Sequence, residues 1–114
     1  MKKHHGDTRP EAIESIGNGK WHVNLDIEEV TIPDEMGGET RTEYQYYIVE
    51  SVGIPTYGVV VDLLIRERYS ISDELALQRQ MYTKVADFDE YNSYCEWCKS
   101  IARPVFYPEE NGGE

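Results

Sequence analysis

Residues 21–32, WHVNLDIEEVTI, decide what kind of fold this chain adopts. Trp21, Val23, Leu25 and Ile27 alternate with His22, Asn24, Asp26 and Glu28. A period of two sends one side of a strand into a core and the other toward water. The phase then slips, because Val30 and Ile32 fall on the opposite parity. Either a β-bulge lies near Glu28 and Glu29, or the strand end turns its apolar side to another partner. Pro33 ends the segment, and a loop rich in glycine and acids follows.

A second strand is predicted over residues 42–53, TEYQYYIVESVG. Tyr44, Tyr46 and Ile48 share one face while Tyr47 and Val49 share the other, so both faces carry apolar groups. A lone hairpin is marginal in water, so helices must cover it. Upstream, residues 1–10 read as a mobile tail, Ala12, Ile13 and Ile16 as a short strand or lead-in, and Gly17, Asn18 and Gly19 as a turn.

Beyond Pro55 the period changes to three and four. Thr56 is placed to cap a helix on which Tyr57, Val60, Val61, Leu64 and Ile65 form one stripe. Ser72, followed by Asp73 and Glu74, marks a second helix running to about Tyr82. Asp87 and Glu90 have the spacing of a capping box for a third. Its stripe is Phe88, Tyr91, Cys95, Cys98 and Ala102, widened by Tyr94 and Ile101, with Lys99 and Arg103 at the negative end and Pro104 as its stop. The expected architecture is α+β: an N-terminal antiparallel hairpin or small sheet, then three α-helices packed on it. One domain is expected over residues 11–104, with residues 105–114 as a flexible acidic tail.

The chain has 114 residues, 39% of them hydrophobic, and nine tyrosines carry much of the non-polar area. That describes a small core with a wide amphipathic margin, since each tyrosine hydroxyl needs a partner or water. A net charge of −11 argues against binding nucleic acid through phosphates and against docking on anionic lipid. No run approaches the ~20 apolar residues of a membrane span. The basic start MKKHH has no apolar stretch behind it, so no secretory signal is read there. Two cysteines make no disulfide framework, and a reducing cytoplasm is the expected compartment.

Cys95, Glu96, Trp97 and Cys98 have the spacing of a thiol-disulfide site. Reactive pairs of that type draw a low thiol pKa from a helix N-terminus or a nearby cation. Here the pair falls about two turns inside a helix, on its apolar stripe, so two small buried hydrophobes are the better reading. A zinc site needs a second ligand pair, and the sequence offers only His4, His5 and His22 besides. Asp87, Asp89 and Glu90 resemble the start of a calcium loop but lack its glycine and closing glutamate. Asp34, Glu35 and Glu39 read as a solvated turn. No nucleophile motif or phosphate loop is present. No catalytic, cofactor or metal residues are therefore assigned. The remaining signal is aromatic: Tyr44, Tyr46 and Tyr47 on one strand, Tyr94 and Trp97 on the last helix. Tyrosine and tryptophan are favoured anchors at protein interfaces, and these five form the candidate interaction surface.

Four segments carry a resemblance: NGKWHVNLDIEEV, EMGGETRTEYQYYIVESVGIPTYGVVV, LIRERYSISDELALQRQ and FDEYNSYCEWCKSIA. Together they resemble a group of small proteins, without assigned catalytic residues, of gut Bacteroides-type bacteria and of the phages or prophages of those hosts. The cysteines stand outside the shared pattern. The resemblance implies a virion-related or assembly role, comparable to small tail-assembly accessory proteins. The expected function is thus a non-enzymatic phage or prophage accessory protein that binds another protein, in tail or fibre assembly. Two alternatives stand beside it: a thiol-disulfide protein using Cys95 and Cys98, and an acidic inhibitor of a host nucleic-acid-binding or defence protein.

Overall fold

The computed structural model describes residues 3–33 and 37–108. Four strands, β1 (Lys3–Gly6), β2 (Ile13–Gly17), β3 (Lys20–Ile32) and β4 (Arg41–Val52), form one antiparallel sheet of order β1-β4-β3-β2. Three helices follow, α1 (Tyr57–Arg66), α2 (Ile71–Arg79) and α3 (Val85–Phe106). The class is α+β. The chain divides into two compact units, Met1–Pro55 and Thr56–Glu114.

The parity slip in β3 is a bulge. Leu25 pairs with Tyr47 and Glu28 with Gln45, so Asp26 and Ile27 together oppose the single residue Tyr46. The irregularity therefore lies two residues before the expected Glu28 and Glu29. Asp26 takes the bend at φ 52, a left-handed conformation that aspartate tolerates better than a branched residue does. The extra residue keeps Val30 and Ile32 on the face that already carries Trp21, Val23 and Leu25. On that face Val23 and Leu25 are fully buried and Val49 nearly so.

The expectation of a mobile tail over residues 1–10 is corrected at Lys3–Gly6, which pair with Tyr44 through Tyr47 as an edge strand. This strand is polar and follows no apolar period, so pattern reading passes over it. It is held by the ladder and by cross-strand contacts: Lys3 Nζ to Glu28 Oε1 at 3.1 Å, His5 to Glu43 at 2.9 Å, and His4 stacked on Tyr46. The lead-in around Ile13 is β2. It joins β3 through Asn18 and Gly19, both at positive φ, as a two-residue type I′ hairpin turn requires.

In the helical unit Thr56 caps α1 as expected, its Oγ1 accepting from the Val59 N–H at 3.3 Å. Val60, Val61, Leu64 and Ile65 are buried. The cap of α2 is Ser70, not Ser72. Ser70 Oγ accepts from the Asp73 N–H while Asp73 Oδ2 accepts from the Ser70 N–H, both at 3.0 Å. Ser70 has an acid three residues on to reciprocate, whereas Ser72 has Leu75 at that position. The helix ends at Arg79, short of Tyr82.

The α3 helix begins at Val85 without a side-chain cap, which moves Asp87 from the expected cap into the first turn. There its charge still complements the positive helix end. Pro104 lies inside the helix rather than at its limit, and two further residues stay helical. Lacking an N–H, it forgoes one backbone bond near the C-terminus, where few turns remain to be disrupted. Of the predicted stripe, Tyr91, Cys95, Cys98, Ile101 and Ala102 are buried, and Phe88 and Tyr94 half-buried. Of the expected acidic tail, residues 109–114 lie outside the described residues, as do Asp34 and Glu35.

Candidate interaction surfaces and a buried polar clamp

The three strand tyrosines do not share a surface. Register puts Tyr44 and Tyr46 on the face of Ile48, with His4 stacked on Tyr46. Tyr47 lies on the opposite face beside Leu25 and under the Lys3 ammonium, 5.4 Å from its ring centroid. All three are half-buried.

Tyr94 is tied down rather than presented. Its hydroxyl donates to the Leu64 carbonyl at 2.7 Å, and its ring packs on Tyr69 and Trp97, with centroids 5.8 Å away in both cases. The Arg68 guanidinium sits 5.1 Å from the Tyr94 centroid and 5.4 Å from that of Tyr69, while bonding Glu90 at 3.1 Å. A cation held over two rings adds to their packing. Tyr69 and Tyr91 then meet edge to face at 5.1 Å, and Phe88 adjoins Tyr91 at 6.0 Å. Trp97 is half-buried at one end of this aromatic row. Tyr94 is half-buried and its hydroxyl is engaged within the helical unit.

Behind the row lies a polar cluster that sequence reading missed. The Arg66 guanidinium, at the end of α1, bonds Glu74 of α2, Asp62 one turn back at 3.1 Å, and the Tyr69 carbonyl at 2.9 Å. The second Glu74 oxygen accepts from the Tyr91 hydroxyl of α3. One carboxylate thus ties all three helices. Burial pushes the Glu74 carboxyl upward, but the Tyr91 hydroxyl and the Arg66 charge outweigh it and hold the group below its ordinary range. Tyr91, buried and donating to that carboxylate, is pushed well above the usual phenol value. Arg66 Nε is buried without a partner. No local motif announces such a cluster, since its members are 8 and 17 residues apart and meet only when the helices pack.

Cys95 and Cys98 are both free and buried, Cys98 completely. Burial pushes the Cys98 thiol up to about 11, against a hydrogen bond with Tyr94, and raises Cys95 as well. A thiol kept neutral in this way is a poor nucleophile at neutral pH. In the sheet, His22 lies 3.5 Å from Glu50, and Asn24 is buried on the same face. Its amide donates to the Glu11 carbonyl at 2.6 Å and to Glu14 at 3.1 Å. Among the described residues no group of three His, Cys, Asp or Glu side chains is placed to hold a metal ion, and no helix is long and apolar enough to cross a membrane.

Large apolar side chains also reach solvent in the helical unit. Ile71 is 64% exposed, Leu75 49%, Tyr82 87% and Val85 54%. Ile71 and Leu75 stand one turn apart on α2, and Tyr82 and Val85 flank its junction with α3. In comparisons with protein-family models, curated proteins and solved structures, the chain gives no match.

Proposed function

We propose that this chain is a non-enzymatic accessory protein that works by binding another protein. The observation that carries the reading is the apolar exposure of Ile71, Leu75, Tyr82 and Val85 within a strongly acidic chain. Scattered single apolar residues are ordinary on a surface, but several within fifteen positions of one helix and its junction suit a contact patch. The resemblance to small phage and prophage proteins points to a tail or fibre component as the partner. The buried thiols, with their raised pKa values, lend no support to the thiol-disulfide alternative.

The test is capture of partners by the tagged full chain in phage-infected or prophage-induced cells. The reading expects a structural phage protein, and expects Ile71→Asp with Leu75→Asp to abolish its recovery. Capture of no structural phage protein overturns the assembly role. Salt-sensitive capture of a basic host protein instead would favour the acidic-inhibitor reading.

A further inference from the structure

Among the described residues, part of β3 has no strand on the side away from β4. The β2 strand pairs with β3 only from Lys20 to Val23, extended by the Asn24 N–H bonding the Ala12 carbonyl at 2.8 Å. From Leu25 to Ile32, β3 is laddered to β4 on one side and, among the described residues, has no strand on the other. Asp26, Glu28, Glu29 and Thr31 are exposed, and Ile27, Val30 and Ile32 half-buried. The bulge at Asp26 and Ile27 closes one end of this edge and Pro33 the other. Residues 28–32 between them are regular strand. Unpaired backbone donors and acceptors on such a strand are a template for one more strand.

Resting on the protein-binding reading above, we propose that residues 28–32 take an extended, basic segment of the partner as a fifth strand. Residue order specifies the guest. Glu29 lies on the face of Tyr44, whereas Val30 and Ile32 lie on the face of Trp21 and Leu25. A segment alternating lysine or arginine with valine or isoleucine sets a cation beside Glu29 and a branched chain beside Val30 and Ile32. Asp26 adds a second acid to the seam, and Glu28 is already answered by Lys3. A second copy of this chain is the poorer guest, because pairing two such edges brings Asp26 and Glu29 of both chains to one seam. Charges and a bulge on an edge also discourage indiscriminate pairing, which is consistent with selection of a guest of opposite charge.

The probe is a blocked eight-residue peptide of alternating lysine and valine, titrated into the full chain and followed by amide NMR and hydrogen exchange. The expected result is saturable binding with new protection among the amides of residues 28–32. Glu29→Lys is expected to weaken it about fivefold, while an alternating glutamate and valine peptide gains on that variant. N-methylation of alternate peptide nitrogens is expected to abolish binding. Equal binding by the N-methylated peptide, or protection confined to other residues, overturns strand addition in favour of charge adsorption. If the captured cellular partner binds the Glu29→Lys chain undiminished, the strand edge is excluded while protein binding itself stands.

Discussion

The two units differ in what sets their geometry, backbone pairing in one and side-chain contacts between helices in the other. In the sheet unit the ion pairs lie mostly at the surface, Lys3 with Glu28 and Lys20 and His22 with Glu50, while Asn24 is buried and bonds the Glu11 carbonyl and Glu14. Exposed pairs of this kind add little, so strand register and the burial of Val23 and Leu25 carry the specificity. In the helical unit the decisive polar group lies inside, with the Glu74 side chain 17% exposed between Arg66 and Tyr91. Here one carboxylate selects how three helices meet. The difference teaches that a sheet encodes its geometry in backbone pairing, whereas helices packed by apolar stripes need a directional contact to fix their mutual arrangement.

The largest test of this contrast is Leu64→Ala. Leu64 is fully buried on α1, and the cavity is expected to cost about 3 kcal/mol in a urea titration. A loss below about 1 kcal/mol would show that the helical stripe is not the unit's main support. Next comes Glu74→Gln, which leaves the Arg66 guanidinium only the exposed Asp62 as counter-charge and is expected to cost about 2 kcal/mol at neutral pH.

The same variant tests linkage. Because the folded-state pKa of Glu74 is lowered, its contribution is complete above the ordinary carboxylate range and fades as pH falls through the folded value. The gap between wild type and Glu74→Gln should therefore narrow on acidification, and a constant gap would refute the clamp.

A smaller effect probes the sheet. Asp26→Val raises β propensity yet places a branched residue at φ 52, and is expected to destabilise by about 1–2 kcal/mol, with Asp26→Gly within about 0.5 kcal/mol of wild type. Stabilisation by valine would mean the bulge is not fixed at Asp26. The smallest is Ser70→Ala, expected to cost about 1 kcal/mol, whereas Ser72→Ala should be nearly silent, measured by thermal or urea unfolding.

Much of this was legible because it follows chain-local periodicity. The alternation over residues 21–32, its broken parity, the Thr56 cap and the stripe through Tyr91, Cys95, Cys98 and Ala102 are all visible in order along the sequence. Misplacements came where two local signals compete. Ser70 and Ser72 both offer an oxygen, and only the reciprocal bond from Asp73 separates them. Asp87 looked like a cap because acids suit both a cap and a first turn. The edge strand Lys3–Gly6 has no apolar period at all, so its place depends on β4 being there to pair with. The candidate surface fared similarly, since nothing near Tyr94 in sequence reveals that its hydroxyl is taken by Leu64, thirty residues away.

By itself the sequence determined the class, the broken parity of β3, the apolar stripes of α1 and α3 and the place of both cysteines on the latter, because each follows from side-chain spacing against a fixed helical or strand repeat. Tertiary structure alone decided the Glu74 clamp, the pairing of Lys3–Gly6 as an edge strand, and the open edge of β3. Those depend on which distant backbone and side-chain groups find one another, and that choice is made by packing and pairing across the fold rather than by any residue's neighbours in the chain.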